Sequence, residues 1–416
     1  MNDATALLAN DAAVLGLLAI TLGLIFQAAH SDRPVFRRFF KYVPVLLLCY
    51  FIPSLYNTFG IIDAEQSRLY FVASRYLLPA TLVLLTLSVD FKGILRLGPK
   101  ALIMFGTGTV GIIVGGPLAV WIFSIVSPET VGGVGPDAVW RGLTTVAGSW
   151  IGGGANQAAM KEVFEVGDEV FSAMVAVDVL IANLWMAVLL LMAGDAATID
   201  RRIGADTSAL DELKRRVSEF QARVARVTSL TDLMLIVGIG FGVTGLAHVL
   251  ADWIAPWIAE TAPGLGRLSL TSSFFWLVVF ATTGGLALSF TRARDLEGAG
   301  ASKVGSAMLY VLVATIGMGM DIGAIFERPG LFAVGAVWML FHAVLLLTVG
   351  RLIRAPTFYL AVGSQANVGG AASAPVVASA FHPTLAPVGV LLAVVGYGIG
   401  TYGAWVCGQL MRVVAP

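Results

Sequence analysis

Apolar positions in this chain fall in long runs, not in strand-like alternation. About twelve such stretches lie near residues 11–30, 43–60, 71–89, 101–126, 139–162, 171–193, 231–250, 273–290, 305–320, 331–350, 356–380 and 385–411. A helix needs about 20 mostly apolar residues to cross a bilayer. Barrel strands would be shorter and would alternate in polarity. The pattern predicts an all-α polytopic membrane protein with 11–13 transmembrane helices. One segment, 194–229, breaks it. There Arg201, Arg202, Lys214, Arg215, Arg216, Arg223 and Arg226 surround Leu210, Leu213, Val217, Phe220, Val224 and Val227, spaced alternately by three and four. That spacing is one apolar stripe on a helix, with Ser208 and Asp211 placed to cap it. The stripe would lie on the membrane surface or against the rest of the protein.

This linker divides the chain into halves at 1–193 and 230–416, and the halves resemble each other. Leu87-Ser88-Val89-Asp90-Phe91, then Ile94 and Pro99, answers to Met318-Gly319-Met320-Asp321-Ile322, then Ile325 and Pro329. Later in each half comes a small and polar stretch, Gly148-Ser149-Trp150-Ile151-Gly152-Gly153-Gly154-Ala155-Asn156-Gln157 or Gly363-Ser364-Gln365-Ala366-Asn367-Val368-Gly369-Gly370. Two correspondences in the same order mark an internal repeat.

The bias of Lys and Arg between loops sets orientation. Arg33, Arg37, Arg38 and Lys41, then Lys92, Arg96 and Lys100, then the linker, then Arg292, Arg294 and Lys303, then Arg351 and Arg354 all mark inside loops, and Arg412 puts the C-terminus inside. The N-terminus falls outside. Counting crossings forward from the first half, however, puts the linker outside, so the scheme conflicts by one crossing. With the linker inside, the halves are opposite in orientation, an inverted repeat. Met1-Asn2-Asp3 has no basic leader region, so the first apolar run is expected to stay as a spanning helix. A multi-pass protein of the bacterial cytoplasmic (inner) membrane follows.

Composition narrows the function. Of 416 residues 57% are hydrophobic and 12% charged, against roughly a quarter charged in a soluble domain. A soluble enzyme is excluded. Lys+Arg and Asp+Glu are both 26, which leaves no basic excess for nucleic acid. Cys49 and Cys407 sit in apolar runs and read as buried thiols. No HExxH, GxSxG or Walker sequence is present, and no ligand spacing for a bound metal or cofactor. The expectation is a protein that is not an enzyme.

Three adjacent glycines inside an apolar run, flanked by Ser149, Asn156 and Gln157, should unwind a helix, since each glycine costs about 1 kcal/mol in a helix interior. Unwound backbone at membrane depth is tolerated beside protein or a water-filled cavity. Paired broken helices mark a transporter's central site. Gly369, Gly370, Ser373 and Pro375 give the second stretch the same character. Asp178 stands in an uncharged run, Met174 to Ile181, where a carboxylate costs ~2.5–3.5 kcal/mol. Such residues mark ion paths by default. Asn183 lies about 140° further around that helix. Asp90 and Asp321 read as helix-end residues, and His248 and His342 as satisfied core histidines. Trp140, Trp185, Trp253, Trp257 and Trp276 include candidate interface anchors. Arg141, near the outer mouth, could attract an anion or simply snorkel.

The run Leu87 to Pro99, the stretch Gly148 to Gln157 and Gly363 to Gly370 resemble the family known as domain of unknown function 819. More distantly, the layout is similar to bile acid:sodium symporters and cation:proton antiporters. That resemblance implies a scaffold (helices 11–60 and 231–290) and a core (71–193 and 305–411). In the core two broken helices would cross at mid-membrane, and the protein would work by alternating access. It also implies a homodimer through the scaffold. In the symporters a Gly-Gly stretch leads to Ser-Asn where sodium binds, and Asn156-Gln157 hold those positions here. Their second motif, Glu-Val-Gly-x-Gln-Asn, reads Ala361-Val362-Gly363-Ser364-Gln365-Ala366, so Ala361 replaces the glutamate. The antiporters carry an aspartate on the helix after the first broken one, where Asp178 falls. The expectation is an ion-coupled secondary transporter, a Na⁺ or H⁺ symporter of a small organic anion. Asp178, Asn156, Gln157, Ser149, Ser364 and Gln365 would hold the coupling ion. Gly152, Gly153, Gly154, Asn183, Asn367, Gly369, Gly370 and Ser373 would line the broken-helix region. A cation/proton antiporter without organic substrate, or a membrane protein with no transport role, are the alternatives.

Overall fold

The computed structural model describes residues 7–40, 43, 45–64, 66–90, 94–95, 97–205, 228–268, 270–320, 328–382 and 385–416. The amphipathic stripe at 210–227, Lys41, Lys92, Arg96 and Asp321 lie outside the described residues.

Each apolar stretch forms helix where the pattern puts it. In the first half these are α1 (Asp11–Ala29), α2 (Val45–Thr58), α3 (Leu69–Leu87), α4 (Pro99–Val126), α5 (Val139–Val163) and α6 (Asp168–Gly194). In the second they are α7 (Leu230–Thr261), α8 (Ser273–Leu288), α9 (Ala301–Met318), α10 (Gly330–Leu352), α11 (Thr357–Val368), α12 (Gly370–Phe381) and α13 (Ala386–Val414). Local signals set the starts. Asn10 caps α1 by accepting from Ala12 and Ala13 N–H groups, and Ser229 and Asp232 close a capping box on α7. Within α3 a π-helical turn, Ala73–Leu77, leaves the Arg75 carbonyl for His248 Nε2 on α7, 2.8 Å away.

Two of the stretches do not cross. α5 doubles back at Gly153, whose φ of 73° and ψ of −174° suit glycine alone. Its two ends therefore meet. Arg141 donates to the Phe164 carbonyl, and the Trp140 and Phe164 rings lie 5.9 Å apart. The pair α11 and α12 turns at Gly369 and Gly370, the latter with φ 57°. Phe358 and Phe381, at its two outer ends, lie 5.4 Å apart. The expected broken helices that cross the membrane are thus two re-entrant hairpins, entering from opposite faces. Their tips touch, for a Cβ placed on Gly370 would lie 3.7 Å from Gly153 Cα.

This corrects the crossing count. Among the described residues eight helices are long and apolar enough to cross, or ten if two bent pairs each count as one span. With both bent pairs counted as spans, the ten crossings are five per half. An odd number per half inverts the second half relative to the first and resolves the conflict over the linker. It also corrects the C-terminus. Arg412 lies over the Trp140 ring at 5.9 Å, on the face where Asp11 accepts from Ser67 and Tyr70 bonds Glu162. Both ends of the described chain share this terminal face. The opposite, linker face carries Asp200, which accepts from Thr357, together with Lys100, bonded to the Arg354 carbonyl, and the Asp90–Arg294 pair at 2.6 Å.

The helices form two packed bodies. Helix α2 packs on α9, α8 on α3, and α3 on α9, with α1 and α7 outside them. The other body joins α4, α6, α10 and α13 to both hairpins. Residues 69–87 and 301–318, expected in the core, pack mainly with the scaffold helices. On the terminal face the bodies are tied by Arg75 and Glu162 at 2.9 Å. At mid-depth Thr282 and Thr401 hydroxyls meet at 3.2 Å.

Candidate functional site

The first hairpin grips Asp178 with both arms. Trp150, three residues before the turn, donates its indole N–H to Oδ1 at 2.7 Å. Gln157, four residues after it, donates Nε2 to Oδ2 at 2.9 Å. The Ser149 side chain lies beside the carboxylate. Asp178 is 4% exposed. A carboxylate has roughly four acceptor sites, so the two neutral donors leave it able to take a further ligand. None of the ion pairs among the described residues includes Asp178. A buried carboxylate without a cation is costly, and that deficit is what a bound Na⁺ or proton would remove.

The Gln157 amide has its orientation fixed by Asp178. Its nitrogen faces the carboxylate, so its Oε1 accepts from Tyr50 on α2, at 3.2 Å. A hydrogen-bonded line thus runs from Asp178 on α6 to Tyr50 on α2, from one packed body to the other. Gly154 also sits at this boundary, with Leu46 and Leu309 of the scaffold as its nearest neighbours.

A second polar group surrounds the other hairpin. Trp185, two turns beyond Asp178 on α6, donates to Ser364 Oγ at 2.8 Å. His342 Nε2 lies 2.8 Å from the same oxygen, and its Nδ1 lies 3.0 Å from the Gly108 carbonyl. A carbonyl only accepts, so Nδ1 carries the proton. In the neutral ring Nε2 then accepts from Ser364. Both histidines, 342 and 248, are satisfied as expected.

The remaining candidates are dispersed. Asn156 donates to the Gly152 and Tyr397 carbonyls and accepts from Thr401 at 2.7 Å, so it holds the hairpin turn against α13. Asn367 does the same work on α4, bonded to Phe105 and Gly363 carbonyls and to Thr109. Gln365 Nε2 reaches Ser373 at 2.6 Å across the second turn, and its Oε1 has no partner among the described residues. Gly369 lies against that bond. Asn183 bonds back to the Val179 carbonyl of its own helix. Of the residues expected at the coupling ion, Asp178, Gln157 and Ser149 come together. Asn156, Ser364 and Gln365 share no hydrogen bond with them.

Sequence reasoning passed over Trp150, Tyr50 and Trp338, and it set Trp185 and His342 aside. Trp150 packs against Trp338, ring centroids 4.9 Å apart and planes tilted by 54°, and the Trp338 indole bonds the Ile112 carbonyl. The available signal was the placement of Trp150 and Gln157 almost evenly about the glycine triplet, which a hairpin brings side by side.

Comparison with known proteins places the chain. Residues 16–414 match the family described as Protein of unknown function (DUF819), and the chain belongs to that family. It is 23% identical over 368 residues to the uncharacterized membrane protein YjcL of Bacillus subtilis (strain 168), covering 84% of this chain and 85% of that protein.

Proposed function

We propose that this polytopic membrane protein is an ion-coupled secondary transporter that carries a small organic anion by alternating access. One observation carries the reading. A buried carboxylate, held only by neutral donors, sits against a re-entrant hairpin whose tip meets a second hairpin from the other face. Hairpin turns at membrane depth bring helix ends and free backbone groups to one place, which suits ion and substrate binding. Asp178 takes the coupling cation, Na⁺ or H⁺, with Gln157 and Ser149 beside it. The substrate lies between core and scaffold, near Tyr50 and Gly154.

The hydrogen-bond line supplies the coupling. With Asp178 ionised, Gln157 turns its nitrogen inward and its oxygen toward Tyr50. With Asp178 protonated, the amide can reverse and Tyr50 must then accept. The scaffold contact thereby reports the charge of the site. In the present arrangement Arg75–Glu162 and Tyr70–Glu162 close the terminal face, and moving the core requires breaking them. The linker face holds most of the basic loop residues, so we place it in the cytoplasm of a bacterial cell. The N-terminal end, with the C-terminal end beside it, is then outside.

Thermal stability of the purified full chain against Na⁺, Li⁺, K⁺ and pH, with Asp178→Asn alongside, tests this. A ligand bound only by the folded state adds about 2.7 kcal/mol at a hundredfold excess over Kd. Sodium-specific stabilisation lost in the variant supports sodium coupling. A pH dependence removed by the variant supports proton coupling. Identical behaviour of both proteins in every condition rules out Asp178 as the coupling site.

A further inference from the structure

On the terminal face, at the mouth of the first hairpin, lies a cavity of about 370 Å³. Its wall is shared between the bodies. Trp140, Arg141, Glu165 and Arg412 come from the core, and Thr271 and Ser272 from the loop before α8. Both arginines attend one ring, for the Trp140 centroid is 5.3 Å from Arg141 Cζ and 5.9 Å from Arg412 Cζ. Arg141 is fixed by its bond to the Phe164 carbonyl, which leaves most of its five donors for something else. Ser272 is the N-cap of α8 and α5 begins at Val139, so two helix N-termini add positive potential at the rim.

The acid in the wall is poorly placed to neutralise Arg141. Glu165 lies 3.9 Å from Arg141, beyond hydrogen-bond reach, and its side chain is 82% exposed. It is also one of two non-glycine residues among those described with positive φ, at 49°. A loosely held carboxylate beside a guanidinium group is one that another carboxylate can replace.

We infer that this cavity is an anion site for a small carboxylate with a planar or apolar body. The carboxylate lies between Arg141 and Arg412, displacing Glu165, and the body rests on Trp140. The volume is in the range of small-molecule pockets. Its role as a substrate entry site rests on the transport reading, whereas the binding itself does not.

The test is stabilisation of the full chain in phosphatidylcholine nanodiscs by phenylacetate, with acetate and inorganic phosphate in parallel and a second set of discs containing phosphatidylglycerol. Phenylacetate should act saturably and more strongly than acetate. Arg141→Gln and Arg412→Gln should each weaken it about tenfold or more, and Glu165→Gln should strengthen it several-fold. Should Arg141→Gln not fold, Arg412→Gln and Glu165→Gln decide. No saturable effect of phenylacetate overturns the proposal, as does an effect unchanged in the arginine variants. A response to phosphate or phosphatidylglycerol alone overturns the carboxylate class. Asp178→Asn should leave phenylacetate binding intact, so loss of the cation effect with retention of this one defeats only the transport reading.

Discussion

The three adjacent glycines of the first hairpin should respond to alanine in three different ways. At Gly153 there is room, since the nearest atom to a new Cβ is Tyr397 Cε1 at 3.5 Å. The cost is conformational, about 1–3 kcal/mol for holding an L-residue at φ 73° and ψ −174°. At Gly152 the backbone is helical but the space is filled. A Cβ would fall on the Asn156 amide nitrogen and within 2.7 Å of the Gly396 carbonyl oxygen. Overpacking costs about 1–3 kcal/mol, and loss of the Asn156 bonds to the turn adds to it. At Gly154 the nearest atoms are 3.8 and 3.9 Å away, and alanine should stabilise by about 0.4–1 kcal/mol by restricting the unfolded chain. Unfolding free energies from steric trapping in bicelles give all three. The sign at Gly153 decides. In a helix that continued across the membrane, Gly153→Ala would stabilise by about 1 kcal/mol, and that result would refute the hairpin.

Trp150→Phe keeps an aromatic contact with Trp338 but removes a hydrogen bond to a charged group; it should cost about 1.5–3 kcal/mol and weaken cation-dependent stabilisation in the thermal-stability assay. Tyr50→Phe leaves Gln157 Oε1 without its donor; a loss of about 1–3 kcal/mol is expected, and no loss would mean that the amide has another partner. His248→Leu orphans the Arg75 carbonyl of the π-helical turn, for a similar loss of about 1–3 kcal/mol. Hydrogen exchange at 73–77 should rise in that variant, and unchanged exchange would show that the turn does not depend on the histidine.

Much of the fold was legible because hydrophobic runs of helical length leave few alternatives. Asp178 was legible for the converse reason, since ionised groups are scarce where solvation is poor. The hairpins were not. A re-entrant arm and a crossing helix share one apolar pattern, and the difference lies in the backbone angles of Gly153 and Gly370. The charge bias of the loops did carry a trace of them, as the one-crossing conflict at the linker. Trp150 was missed because an indole in an apolar run counts as hydrophobic, although its N–H must find an acceptor when buried. Asn156 was read as a ligand because amides near glycines can serve either way. Only the positions of Thr401 and the Tyr397 carbonyl assign it to holding the turn.

The proposed transport requires the hairpin-bearing body to move against the other. Spin labels at Val126 and Glu260 on the terminal face, and separately at Leu352 and Leu230 on the linker face, each pair a core helix end with an end of α7. Val126, Leu352 and Leu230 are 74%, 77% and 75% exposed, and Glu260 is exposed. Cys49 and Cys407, both buried, would be replaced first. Double electron–electron resonance in nanodiscs should give two distances for each pair. Their proportions should shift in opposite senses on the two faces as Na⁺ or pH is varied, and Asp178→Asn should abolish the shift. A single distance on each face, unmoved by any cation or pH, would contradict alternating access.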